Sequence, residues 1–146
     1  MEISHFRNLK IMDLSDSKDL IRIPDLSSTA PKLEILILRG CESLVDIPSL
    51  ENLSELTALD IEGCYYVTNC PVLPCNITFL RLDETGIEQL PSSIEHLSQL
   101  VHLYLSACRR LVSLPSSIGK LKCLRGLCLG GCSRLVSIPS SIGDVS

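Results

Sequence analysis

Apolar residues fall at fixed offsets along this chain, and the offsets repeat. From Leu100 the pattern runs Leu103, Leu105, a small residue at Cys108, then Leu111, Leu114 and Pro115, and it returns 24 residues later as Leu124, Leu127, Leu129, Cys132, Leu135, Ile138 and Pro139. Six copies open at Leu9, Leu33, Leu56, Ile77, Leu100 and Leu124, with spacings of 24, 23, 21, 23 and 24 residues. Two inner positions follow the opening residue at three and five in every copy, and none carries a charge: Met12 and Leu14, Leu36 and Leu38, Leu59 and Ile61, Leu80 and Leu82, Leu103 and Leu105, Leu127 and Leu129. A proline closes each first half, at Pro24, Pro48, Pro71, Pro91, Pro115 and Pro139. Such a unit cannot bury its own apolar face, so the pattern predicts a stack in which neighbours supply the missing contacts.

Within a copy, the alternation predicts a short strand. Leu103 and Leu105 point inward while His102, Tyr104 and Ser106 point outward, because successive strand side chains face opposite sides. Strands paired in parallel at roughly 4.8 Å would give a six-strand sheet about 25 to 30 Å long. On the return segment, Leu111, Leu114, Ile118 and Leu121 are spaced for coil or 3₁₀ turns, and Pro115 removes a donor that a second long sheet would need. Ser116 and Ser117 are expected to cap one helical turn, and Gly119 to end it. A period of 20 to 29 residues headed by L-x-x-L-x-L-x-x-C resembles the leucine-rich repeat. The expected fold is therefore an α/β-type leucine-rich repeat solenoid of about six repeats, right-handed and curved. Its parallel strands would line the concave face, with mostly irregular or 3₁₀ structure on the convex side.

Composition narrows the picture. Among 146 residues, 45% are apolar but only 3% aromatic, with no Trp, which suits uniform aliphatic layers in a single domain over residues 1–146. No apolar run approaches the roughly 18 residues of a membrane span, and the opening MEISHFRNLK lacks the apolar stretch of a secretory signal. Neither end carries a recognisable polar cap, so the chain is expected to be a fragment of a longer array, with apolar core exposed at its C-terminal end.

Eight cysteines admit disulfides, zinc or buried thiols. Cys41, Cys64, Cys108 and Cys132 all stand eight residues after an opening residue, where Ser17 and Thr85 replace them in the first and fourth copies. A small, weakly hydrogen-bonding side chain suits a turn there, so these are expected to be buried free thiols. Cys70 and Cys75 have C-x₄-C spacing, not the C-x₂-C of a zinc hook, and no metal or other cofactor is expected. His5, His96 and His102 are isolated in sequence, and Ser116 and Ser117 recur only with the repeat. No nucleophile, base and oxyanion donor can be assembled, so the chain is not expected to be an enzyme. Two glycosylation tripeptides, at Asn52 and Asn76, conflict with a cysteine-rich chain lacking a signal, which points to a reducing compartment.

Charge is uneven. Residues 1–96 carry 16 acids and 7 bases, whereas residues 97–146 carry Arg109, Arg110, Lys120, Lys122, Arg125 and Arg134 against Asp144 alone. These bases lie mainly off the strand face without interleaved aromatics, so a solvated edge or an acidic protein neighbour is expected and nucleic acid is not.

The segments LPSSIGKLKCLRGLCLGGCSRL and IPSLENLSELTALDIEGC resemble the leucine-rich repeat region of plant intracellular immune receptors, the nucleotide-binding leucine-rich-repeat proteins with an N-terminal TIR domain. The resemblance covers essentially the whole chain. It implies a cytoplasmic protein, with the nucleus as the alternative, whose partners are a pathogen effector, a guarded host protein or neighbouring receptor domains, and which helps hold the receptor off. No G-x-x-x-x-G-K-[ST] loop occurs, so nucleotide binding and the NAD cleavage of such relatives are not placed on this chain. The alternative function is a truncated structural fragment that binds nothing by itself.

Outward strand positions form three rows, from Ile11, Asp13 and Ser15 through Ile35, Ile37 and Arg39 to Gly126, Cys128 and Gly130. In the middle copies these rows bring aromatic, Arg and acidic residues together, the composition of an interface core with its rim. Partner binding is expected at Asp60, Phe79, Arg81, Asp83, His102 and Tyr104.

Overall fold

The structure, a computed structural model, describes residues 6–144, and His5 lies outside them. Six three-residue strands form one parallel sheet in chain order: β1 (Ile11–Asp13), β2 (Ile35–Ile37), β3 (Ala58–Asp60), β4 (Phe79–Arg81), β5 (His102–Tyr104) and β6 (Gly126–Cys128). Pairing never slips. Met12, Leu36, Leu59, Leu80, Leu103 and Leu127 stand side by side at the strand centres. Because side chains alternate, a one-residue slip would turn every leucine outward, and this cost fixes the register.

The core is one continuous aliphatic column. Leu36, Leu38, Leu59, Ile61, Leu80, Leu82, Leu103 and Leu105 are fully buried, joined by the opening residues Leu33, Leu56, Ile77, Leu100 and Leu124. Truncating any one of them to Ala is expected to cost about 2 to 5 kcal/mol. Among the described residues the first and sixth repeats have a neighbour on one side only, so Met12, Leu14, Leu127 and Leu129 pack against the core while staying half-buried. Val136 and Ile138 are exposed on the sixth repeat.

The return side carries little regular structure, as the prolines predict. It holds one α-helical turn, α1 (Leu26–Thr29), whose N-terminus is capped by the Asp25 carboxylate accepting from the Ser27 N–H at 2.9 Å. It also holds three 3₁₀ turns, Ser92–His96, Ser116–Lys120 and Ser140–Asp144. Two isolated bridges, Arg22 with Asp46 and Gln89 with Ser113, sit two residues before the prolines and go no further.

The serines behave otherwise than expected. Pro115, not a serine, precedes the turn, no side chain caps it, and Gly119 lies inside it. Instead Ser117 Oγ donates to the Ser92 carbonyl at 3.2 Å and Ser141 Oγ to the Ser116 carbonyl at 2.7 Å, tying consecutive turns together. A Cβ on Gly119 would stand 2.7 Å from the Ser141 carbonyl oxygen, so that glycine admits the next turn.

One backbone position is left-handed in all six repeats: Asp16, Gly40, Gly63, Glu84, Ala107 and Gly131, with φ between 57° and 81°. It turns the chain off the sheet and delivers the following residue inward. That residue is the repeated cysteine. Cys41, Cys64, Cys108 and Cys132 donate from Sγ to the carbonyls of Leu14, Leu38, Leu82 and Leu105, each in the preceding repeat, at 2.9 to 3.2 Å. Three of these thiols are fully buried, and burial pushes Cys64 up to about 12. Cys132 is the correction: it is only half-buried, because no described repeat stacks beyond it.

Candidate functional site

Parallel pairing lays the outward side chains in straight rows. Ile11, Ile35, Ala58, Phe79, His102 and Gly126 make the first, and Asp13, Ile37, Asp60, Arg81, Tyr104 and Cys128 the second. The backbone ladder extends past the strands. N–H groups of Asp16, Gly40, Gly63, Glu84 and Ala107 donate to the carbonyls of Arg39, Glu62, Asp83, Ser106 and Gly130 at 2.6 to 3.0 Å, which holds a third row in line.

The fourth and fifth repeats concentrate aromatic surface. Phe79 and His102 are neighbours in the first row, Arg81 and Tyr104 in the second, so four large side chains converge. Phe79 meets Tyr104 edge to face with centroids 5.6 Å apart, and His102 edge-on at 6.2 Å. His102 and Tyr104 lie nearly parallel, 6° apart, with the Tyr104 hydroxyl 3.5 Å from His102 Nδ1. The Arg81 guanidinium carbon stands 4.7 Å from the Tyr104 ring centre and 5.5 Å from that of Phe79. A cation over a ring face is attracted by the ring quadrupole, about 0.5 to 2 kcal/mol depending on exposure.

Beside the rings runs a chain of charges. Arg81 Nε is 3.6 Å from Asp83 and its Nη1 3.7 Å from Glu62, while Arg39 reaches Glu62 at 2.9 Å and Asp60 at 3.6 Å. Asp60 accepts from the Glu62 N–H at 3.1 Å, and Asp83 from the Ser106 N–H of the next repeat at 2.8 Å. Burial pushes both aspartate pKa values up, opposed by those N–H donors and by the two guanidinium groups. Arg81 Nε is enclosed without a hydrogen bond and relies on its charge contacts.

All six residues expected at the site therefore lie on one face, and the structure adds Arg39 and Glu62. Both were legible as outward residues. What marks them is the register, which sets Arg39 and Glu62 in adjacent places of the third row and Arg39 diagonally from Asp60. Stacked rings, a guanidinium and hydrogen-bonded carboxylates can grip a surface. The Arg109 and Arg110 pair lies off this face, exposed, and makes no ion pair among the described residues. Also among the described residues, no cluster of His, Cys, Asp or Glu is arranged to hold a metal, and no helix is long and apolar enough to cross a membrane.

A sheet of repeated strands with its outward rows bare defines a repeat scaffold built for protein interaction. The chain belongs to the leucine-rich repeat family, whose leucine-rich repeat region matches residues 35–146. It is 40% identical over 110 residues to the Protein SUPPRESSOR OF npr1-1, CONSTITUTIVE 1 of Arabidopsis thaliana, covering 75% of this chain and 8% of that protein. To Disease resistance protein RML1A of the same plant it is 36% identical over 112 residues, covering 77% of this chain and 11% of that one. The chain thus spans only a small part of the relatives it matches. Among solved structures, the Leptospira interrogans leucine-rich repeat protein LIC12759 superposes with a TM-score of 0.68 at 25% identity, over 97% of this chain and 35% of that one.

Proposed function

We propose that this chain is the recognition part of a plant immune receptor of the TIR type and works in the cytoplasm. Its strand face would bind a protein: a pathogen effector, a guarded host protein, or a neighbouring domain of the receptor kept inactive by the contact. The observation that carries the reading is the convergence of Phe79, His102 and Tyr104 with Arg81 on a bare sheet, rimmed by Asp60 and Asp83. Aromatic and Arg anchors dominate protein interfaces, and a hydrogen-bonded sheet holds them in a preset arrangement. Likeness to plant disease resistance proteins supports the immune setting.

Proximity labelling in plant cells tests this, using the full receptor that contains the array. Partners lost on joint replacement of Phe79 and Tyr104 by Ala, yet kept on joint replacement of Arg109 and Arg110, support the reading. The opposite pattern moves the site to the basic edge and overturns it.

A further inference from the structure

The return side has a gap where the third repeat is short. Its opening residue is followed by the next after 21 residues, and its segment from Pro71 to Asn76 forms no 3₁₀ turn where later repeats have one. Turn Ser92–His96 packs on Ser116–Lys120, and that one on Ser140–Asp144. Towards the third repeat, Ser92–His96 meets no such turn. What remains is a recess of about 190 Å³, with Val72, Leu73, Ile94 and Leu97 as its apolar walls.

Two features say what would fill it. The first is a hydrogen bond missing from a series. Ser117 and Ser141 each donate across to a carbonyl one turn back, but Ser93, at the same offset, makes no hydrogen bond to a described residue and lines the recess. The space thus offers an apolar hole beside an unused donor, suited to one large side chain and the carbonyl of its own backbone. The second is charge. No Lys or Arg occurs between Arg39 and Arg81. Glu51 on the recess wall is exposed and makes no ion pair among the described residues, while His96 is the other ionisable group of the rim besides the thiols. An exposed carboxylate left without an ion pair at the edge of an apolar recess favours a basic partner.

We propose that this recess docks a short basic segment of a partner protein, one large apolar side chain entering between Val72 and Ile94 with Lys or Arg residues passing Glu51. The segment's main-chain carbonyl accepts from Ser93. This site lies on the return side, away from the strand rows, and stands independently of the function proposed above.

Fluorescence anisotropy on the whole chain tests it, with the labelled peptide Gly-Lys-Lys-Leu-Ser-Lys-Gly as the probe. Saturable binding is expected. It should weaken about tenfold or more, or about 1.4 kcal/mol, when Glu replaces each Lys or Ser replaces the Leu of the peptide. Val72→Trp, which fills the recess from an exposed position, and Glu51→Lys should each do the same, while Phe79→Ala with Tyr104→Ala leaves binding unchanged. Absence of saturable binding overturns the proposal, as does equal binding of the acidic peptide or indifference to Val72→Trp. Amide shifts induced by the peptide must cluster at Leu73, Ser93 and Ile94, and a cluster on the strand rows also overturns it.

Discussion

Arg81 sits over the Tyr104 ring at 4.7 Å while its Nε faces the Asp83 carboxylate at 3.6 Å, so one guanidinium joins the aromatic patch to the charged one. Removing it should uncouple them. Arg81→Ala is expected to weaken partner binding by about 1 to 3 kcal/mol, with about 1 to 2 kcal/mol lost in folding as the cation–ring contacts and the partly exposed ion pairs go. Arg81→Lys keeps the charge but loses the planar stack, and should recover only part of the binding. Titration calorimetry beside thermal unfolding checks both, and full binding by Arg81→Ala would refute the arrangement.

Asp60 and Asp83 give the strand face a pH dependence of unusual sign. Burial raises their folded-state pKa above 3.8, so the folded form holds protons that the unfolded chain has released. Stability contributed by these two groups therefore rises as pH falls from above their folded pKa towards 3.8. Asp13 and Asp25 act oppositely, since hydrogen bonds from Ser15 and Ser27 lower them and their contribution is lost on acidification. In denaturant melts across the acid range, Asp83→Asn should remove part of the acid-side gain, and a steeper gain than in the parent would contradict it.

The left-handed position invites a stabilising change. Glu84 at φ 57° and Ala107 at φ 57° pay a steric cost that Gly63 at φ 81° avoids. Ala107→Gly should gain about 0.5 to 1 kcal/mol, the net of a left-handed penalty near 1 to 2 kcal/mol and the extra freedom of glycine when unfolded. Gly63→Ala should lose a comparable amount. Paired urea melts measure both, and a destabilised Ala107→Gly protein would sink the argument.

Thiol reactivity should sort into three groups. Cys75, Cys123 and Cys128 are exposed and should label fast, the half-buried Cys70 and Cys132 more slowly, and Cys41, Cys64 and Cys108 only on opening of the fold. Cys108→Ser keeps a donor for the Leu82 carbonyl and should be mild, whereas Cys108→Asp buries a charge and should cost roughly 3 kcal/mol or more. Mass-resolved alkylation of the native protein checks the order, and rapid labelling of Cys64 would contradict it.

Strand positions, register and core were legible because strand alternation and parallel pairing act at fixed offsets, so Leu59 and Leu80 need no further information to find each other. The aromatic cluster followed from the same rows. What stayed hidden depends on contacts between repeats that no single repeat encodes. Ser117 reads as a local cap, yet its acceptor is Ser92, 25 residues back. Gly119 reads as a stop, but its bareness serves Ser141. Cys132 shares its sequence setting with Cys108 and differs only in having no described neighbour beyond it.

The fourth repeat breaks the chain of thiol bonds. Thr85 donates to Leu82 of its own repeat at 2.9 Å, so the bond that would cross to the third repeat is missing, and Cys108 then crosses to the same Leu82 carbonyl at 3.0 Å. Thiol bonds thus link repeats one to three, and again four to six, while the third and fourth are joined by backbone bonds such as Gly63 N–H to the Asp83 carbonyl at 2.9 Å and Gly86 N–H to the Val67 carbonyl at 3.0 Å. In an array whose stability is a sum over neighbouring contacts, this junction therefore rests on backbone and aliphatic contacts, without the thiol link of the others. The ion pair of Arg81 with Glu62 spans the same junction on the strand face. A partner seated there would add its own contacts across the one junction that lacks a thiol link, and so stiffen the array at that point.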